Sequence, residues 1–291
     1  MATGLEQDRI SHPLPLEEKA RPRPRIRLER PWRLAALPYL LFLLIPLVAL
    51  LLYASPANLW ATLQQGQVFQ AIYLSLFTSM STVALTILLG TPVAYYLSHR
   101  NYRLFRFIDT LVELPTVLPP AVAGVALLIA FGRTGLLGGA LNTLGITIPF
   151  TPLAVIMAQS FVAAPFYIKS AAVGFSTVDY ELRKAAALDG ANGWQTFRFV
   201  TVPIAWVALV SGGVMTWARA LGEFGATIIF AGNYPGRTQT MPIAIYIGFQ
   251  IDLNVALTLS VILVGFSFLI LFLLKGLLYP RNESRPDELY D

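Results

Sequence analysis

Six apolar runs, Leu34–Tyr53, Ile72–Leu97, Phe107–Phe131, Pro152–Phe175, Ile204–Phe230 and Val255–Leu278, dominate this chain and limit what it can fold into. A hydrocarbon core about 30 Å thick is crossed by about 20 residues of helix. Backbone groups in lipid must be satisfied within the segment, which leaves helices or closed barrels. Barrel strands would alternate apolar and polar residues over about ten positions, and these runs do not alternate. The expected fold is therefore an all-α integral membrane protein with six transmembrane helices. Composition agrees: 13% of residues are charged, against about a quarter in soluble domains. With no cysteine, thiolate chemistry and disulfides are excluded. The two histidines, His12 and His99, lie far apart in the sequence and make no metal-ligand cluster.

The charges between the runs set an orientation. Residues 1–32 form a basic, proline-interrupted arm with Arg21, Arg23, Arg25, Arg27 and Arg30, too polar to pack and expected to be disordered. A cleavable signal peptide is the competing assignment for the first 54 residues, but the basic stretch and the apolar run are both too long for one. Residues 54–71 carry no charge, the next loop carries Arg100, Arg103 and Arg106, and the loop after the fourth run carries Arg183, Lys184 and Arg198. The positive-inside rule then places both termini in the cytoplasm, including the tail at 281–291. The net charge of +5 follows this topology and gives no reason to invoke nucleic acid. The permease domain proper is expected over residues 33–280.

The loop Ser176–Pro203, STVDYELRKAAALDGANGWQTFRFVTVP, is long, charged and rich in helix formers. Ser176 with Asp179 resembles a capping box, Glu181–Leu188 favours helix, and Gly190 fits the residue just past a helix end. Gly193 leaves room for a second short helix over Trp194–Phe199, with Pro203 in the first turn of the following span. Two short helices at an angle are expected on the cytoplasmic face. Small residues at Ala185, Ala186 and Gly190 would let another protein approach their backbone.

These residues carry a family resemblance. Lys184-Ala185-Ala186-Ala187-Leu188-Asp189-Gly190 resembles the EAA loop of ABC-importer permeases, with Lys184 where that pattern has Glu. The resemblance implies a type I importer fold, in which this loop is a coupling helix between spans four and five. Lys184, Ala185, Ala186, Asp189 and Gly190 would then contact an ATPase. The stretch Arg219–Pro242 resembles the fifth span and outer loop of molybdate/tungstate permeases, and its Leu-Gly-Glu-Phe-Gly part is shared with sulfate permeases. Leu114–Gly124 resembles the third span of both. The resemblance covers about residues 70–278. It implies a multi-pass protein of a prokaryotic inner membrane that moves a tetrahedral oxyanion, with two ATPase subunits, a second permease copy and an extracytoplasmic binding protein. ATP and magnesium would act on the ATPase. No cofactor is expected in this chain, which has no phosphate-cradling G-x-x-x-x-G-K-[ST] motif.

Inside the membrane, Arg219 and Glu223 lie four residues apart in the fifth run, on one face of a helix. They form either a neutralised pair that fixes packing, or a cation on an anion path with Glu223 holding it. Pro115, Pro119 and Pro120 are expected to kink or break the third run. This is a matter of packing or, at Pro119 and Pro120, a moving gate beside the path. Glu113 is expected in a structural pair. Outside, Asn233-Tyr234-Pro235-Gly236 predicts a tight turn, with a short apolar helix over Pro242–Phe249. The resemblance implies that Asn233, Pro235, Gly236, Arg237 and Thr238 contact the binding protein or close an outer gate. An ion-coupled secondary transporter would need midplane coupling residues and repeated halves. A membrane-embedded enzyme would need convergent histidines, cysteines or carboxylates. Neither pattern is present.

Overall fold

The computed structural model describes residues 29–98 and 103–278, all helix, turn or loop with no strand among them. Most of the basic arm, Arg100 and the 281–291 tail lie outside the described residues. Helix α1 (Glu29–Tyr53) starts within the predicted arm and contains Pro38 and Pro46. From Ala49 onward the chain forms a compact unit of its own. After the short α2 (Pro56–Leu63), the long helices are α3 (Gly66–Ser98), α7 (Pro152–Ser176), α10 (Val202–Leu221) and α13 (Leu253–Leu278). Between them run α4 (Arg103–Val117), α5 (Pro120–Phe131), α6 (Gly138–Thr143), α8 (Tyr180–Leu188), α9 (Gly193–Thr196), α11 (Gly225–Phe230) and α12 (Met241–Ile251).

Among the described residues, five helices are long and apolar enough to cross a bilayer, and the pair α4–α5 makes a sixth span if taken as one. That pair is bent by 115°. The break falls at Leu118-Pro119, before Pro120 at the first turn of α5. Pro115 stays inside α4 without breaking it. Two adjacent prolines remove two successive donors and start a new helix, whereas a single one can be absorbed near a helix end.

The fifth run departs from expectation. It does not reach Phe230 as one helix. Helix α10 ends at Leu221, and α11 starts at Gly225 after a break at Gly222-Glu223-Phe224.

At the centre, α7 packs against α3 and α10, and further along against α4, α5 and α11. The contacts are close because the facing residues are small. A Cβ on Gly174 would lie 2.5 Å from Ala208 Cβ, and one on Gly212 would lie 2.7 Å from Ser170 Cβ. Small faces of this kind drive helix association where lipid removes the hydrophobic advantage. Hydroxyls add to it: Ser170 Oγ donates to Ala208 O at 2.7 Å, and Thr216 Oγ1 donates to Ala163 O at 3.2 Å. On α3, Ser75, Thr78, Ser79, Thr82 and Thr86 are all buried, and Thr82 Oγ1 donates to Gln159 Oε1 at 3.1 Å.

The two broken spans meet. A Cβ on Gly225 would stand 2.7 Å from Pro120 Cβ, and one on Gly124 would stand 2.8 Å from Ala226 O. We therefore expect Gly124→Val to cost about 1–3 kcal/mol through overpacking against backbone. Gly139→Ala, with nothing within 4 Å of its Cβ, should leave thermal unfolding of the purified protein in detergent unchanged. Equal melting of the two variants would contradict the close α5–α11 contact.

Candidate functional site

Three places hold the predicted site residues: the polar element after α7, the junction of the broken spans, and the loop between α11 and α12.

The polar element begins on Asp179, whose side chain accepts from Glu181 N at 2.9 Å. Ser176 is not the cap. It is the last residue of α7, where its Oγ donates back to Val173 O at 2.7 Å. Proximity to a running helix satisfies that hydroxyl locally, so the role falls to the next carboxylate. Helix α8 then ends in a Schellman motif. Gly190 N donates to Ala187 O at 3.1 Å and Ala191 N to Ala186 O at 2.9 Å, with Gly190 at φ +88°. That left-handed backbone favours glycine. Immediately after, Asn192 and Gln195 form a reciprocal capping box at 2.9 and 2.8 Å.

A separate second short helix is not formed. The helical path from Gly193 continues through a π turn, Phe197–Thr201, into α10 as one 29-residue span. Pro203 therefore lies well inside this span and not at its start. Pro203 has no N–H to return to the preceding turn, and the wider turn before it accommodates that loss.

On α8, Ala185, Lys184, Leu188 and Asp189 are exposed, while Ala186 is half-buried. Lys184 pairs with Glu181 at 3.2 Å and lies over the Tyr180 ring, 4.4 Å from its centroid. Leu188 and Trp194 are 88% and 66% exposed, so the element presents apolar side chains outward beside its small residues.

At the junction, Arg219 Nη1 lies 2.6 Å from Glu223 Oε2, and Glu223 is 1% exposed. The other carboxylate oxygen, Oε1, accepts from Ala226 N at 2.9 Å. Glu223 thus sits in the break itself, not on the helix as expected. It bridges the last turn of α10 to the first turn of α11. Gly225, two residues beyond Glu223, packs against Pro120 at the α5 break.

The loop between α11 and α12 contains the expected tight turn. Arg237 N donates to Tyr234 O at 3.0 Å, and Gly236 has φ +73° at the position where a type II turn needs it. Tyr234, Pro235, Gly236 and Arg237 are exposed and Asn233 is half-buried. Thr238 is fully buried and its Oγ1 accepts from Tyr234 N at 3.0 Å. It clamps the turn from inside, so it is not part of the loop's outer surface. Helix α12 covers the predicted Pro242–Phe249 stretch.

Residues 86–284, which include α8, both breaks and the Tyr234–Arg237 turn, match the profile of binding-protein-dependent transport system inner membrane components. The chain belongs to this family. The permease is 37% identical over 81% of its length to the probable transport system permease protein NifC of Clostridium pasteurianum, covering 83% of that protein. It is 39% identical over 79% of its length to the molybdenum transport system permease protein ModB of Mycobacterium tuberculosis, covering 88% of that protein. Among solved structures, it resembles a bacterial ABC transporter involved in alginate import, with a TM-score of 0.67 and 18% identity over 85% of this chain and 95% of that one. The MetNI methionine ABC transporter is similar at a TM-score of 0.56 and 21% identity, covering 77% and 97%. The fold is that of a type I ABC importer permease.

Sequence reasoning missed Lys169. It lies inside the fourth apolar run, and a lone lysine there gave no partner to look for. Its contacts are with Asp109 and Glu113 of α4. Glu113 is in a pair, as expected.

Two outcomes test this geometry. Glu223→Ala removes both the counter-charge of Arg219 and the α11 cap, and should cost about 3–5 kcal/mol. Glu223→Gln keeps an acceptor for Ala226 N and should be milder in the same melting measurement. Gly190→Ala meets no steric obstacle but places a Cβ at positive φ. It should destabilise the α8 end by about 1–2 kcal/mol, read as faster amide exchange of Asp189–Ala191.

Proposed function

We propose that this permease is the membrane-spanning subunit of an ATP-driven importer that carries molybdate, or its near-isostere tungstate, into the cytoplasm. The identity to molybdenum transport permeases over most of the chain carries this proposal. A sulfate transport system permease of Chlorokybus atmophyticus is also similar, at 32% identity over 83% of the chain. Sulfate or thiosulfate is the alternative cargo.

In this scheme both termini are cytoplasmic, as the basic loops require, and α8 faces the ATPase. Ala185, Lys184, Asp189 and Gly190 would lie at the docking surface, with Ala186 setting how closely α8 rests on its own support. The exposed Leu188 and Trp194 supply apolar area for that contact. Two ATPase subunits hold ATP and magnesium, and two permease copies enclose the path. A binding protein outside meets the exposed turn at Asn233, Pro235, Gly236 and Arg237. Thr238 holds that turn in shape.

Arg219 supplies positive potential where the broken spans meet, with Glu223 fixing its position and Pro119 and Pro120 hinging the opposite wall. One cation already paired with a carboxylate attracts an anion without trapping it, which suits a path better than a storage site. Selection among oxyanions then belongs chiefly to the binding protein.

The test is ATP-dependent uptake of labelled molybdate by the complex reconstituted in liposomes. Tungstate should compete and sulfate at the same concentration should not; equal competition by sulfate would overturn the cargo assignment. Ala185→Trp should abolish copurification of the ATPase while leaving the permease folded.

A further inference from the structure

Lys169 of α7 makes a joint with α4. Its ammonium lies 2.8 Å from Asp109 Oδ1, 2.8 Å from Asp109 Oδ2 and 2.7 Å from Glu113 Oε1. A lysine has three N–H donors, and all three are accounted for by carboxylate oxygens one turn apart on α4. Beside the joint lies a cavity of about 280 Å³ lined by Ser98, Arg106, Asp109, Lys169, Val173 and Ser176. Close packing is therefore incomplete on that side, and the ion pair adds a polar tie to the apolar contact that Val112 of α4 makes with the Tyr167, Ile168, Ala171 and Phe175 cluster.

The position of this joint is informative. Lys169 is seven residues from the end of α7, about 10 Å along the helix, and α8 follows directly. On the other side, α4 leads through the Leu118-Pro119 hinge into α5, which packs on α11 at the Arg219–Glu223 break. Of the helices packed against α4, α7 makes the main contact. A displacement of α8 carried by α7 reaches the broken spans through α4 only if α4 follows α7.

We propose that Lys169 is a positioning residue for transport: its tie to Asp109 and Glu113 makes α4 follow α7, so that movement at the coupling helix reaches the hinge at Pro119. This rests on the importer assignment above. The tie is a strut that persists through the cycle, not a latch that opens. With the lysine 36% exposed and the carboxylates 40% and 49% exposed, solvent screens part of the attraction, and the three contacts to one ammonium hold the geometry.

The experiment measures uptake and ATP hydrolysis together in liposomes holding the full complex with its binding protein. Lys169→Met should lower the anion carried per ATP hydrolysed by about tenfold, within the usual range of coupling between sites, while hydrolysis continues. Lys169→Arg should stay near wild type. The permease has no cysteine, so Asp109→Cys with Lys169→Cys introduces a unique pair in this chain. Bridging that pair with a bismaleimide should restore the ratio lost in the unbridged double variant. An unchanged ratio in Lys169→Met, or a bridged pair that stays uncoupled, overturns the strut. A double variant that fails to assemble even when bridged also overturns it, by showing a contact needed only for folding. If the wild-type complex itself shows no ATP-dependent uptake, the importer assignment fails instead.

Discussion

The carboxylate of Glu223 makes a helix break tolerable inside a membrane. Any interruption there leaves backbone donors and acceptors without water to satisfy them. At Gly222-Glu223-Phe224 one oxygen of Glu223 takes the Ala226 N–H at the new helix start, and the other neutralises Arg219 on the old one. A charge at membrane depth costs about 2.5–3.5 kcal/mol on the insertion scale. The pair offsets that cost for both residues, and the cap recovers part of what the break loses. With the break stabilised, α11 can leave the line of α10 and lie against α5. The Gly225–Pro120 and Gly124–Ala226 contacts depend on that change of direction.

The rest of the bundle is built to keep this junction in place without hydrophobic exclusion to rely on. Lipid is as apolar as leucine, so α3, α7 and α10 associate through small residues and through hydroxyls that donate to carbonyls across the interface. Ser170 to Ala208 and Thr216 to Ala163 are bonds of this kind between α7 and α10. Met241 N donates to Ser75 Oγ at 2.6 Å, which ties the start of α12 to α3. These bonds fix register along the helices as well as proximity.

Apolar length made the spans legible in the sequence, because a helix that crosses a bilayer must be long and uncharged. Paired prolines made the α4–α5 break legible, and Pro235-Gly236 the turn between α11 and α12. What was hidden depended on tertiary partners. The end of α10 at Leu221 follows from how Glu223 is shared between two helices, and a four-residue spacing alone reads as one continuous face. Ser176 and Asp179 are both good caps by residue type, and only the extra length of α7 decides between them. The π turn before Pro203 leaves no compositional trace. Lys169 was invisible for the same reason: its acceptors are some 60 positions away on another helix.

Motion in such a protein must pass through elements that stay rigid and bend only where they are built to bend. Helix α7 contains Pro165 yet runs unbroken from Pro152 to Ser176, with small-residue contacts to α10 along its C-terminal half. The bends are elsewhere, at Leu118-Pro119 and at Gly222–Phe224, and these two lie against each other. Under the proposed coupling, a push at α8 would meet a stiff rod first and a pair of hinges second. Rigid rods joined at paired breaks convert a small displacement at one end into a change of angle at the other, which is how rigid-body rocking arises in transporters with discontinuous helices. The rod packs on α5 and α11 directly, and the Lys169 ion pair adds a polar tie from it to α4, the helix that leads into the α5 hinge. The three residues that look like an isolated charge cluster in a membrane protein thus add a polar tie to the apolar packing that already joins α4 to α7.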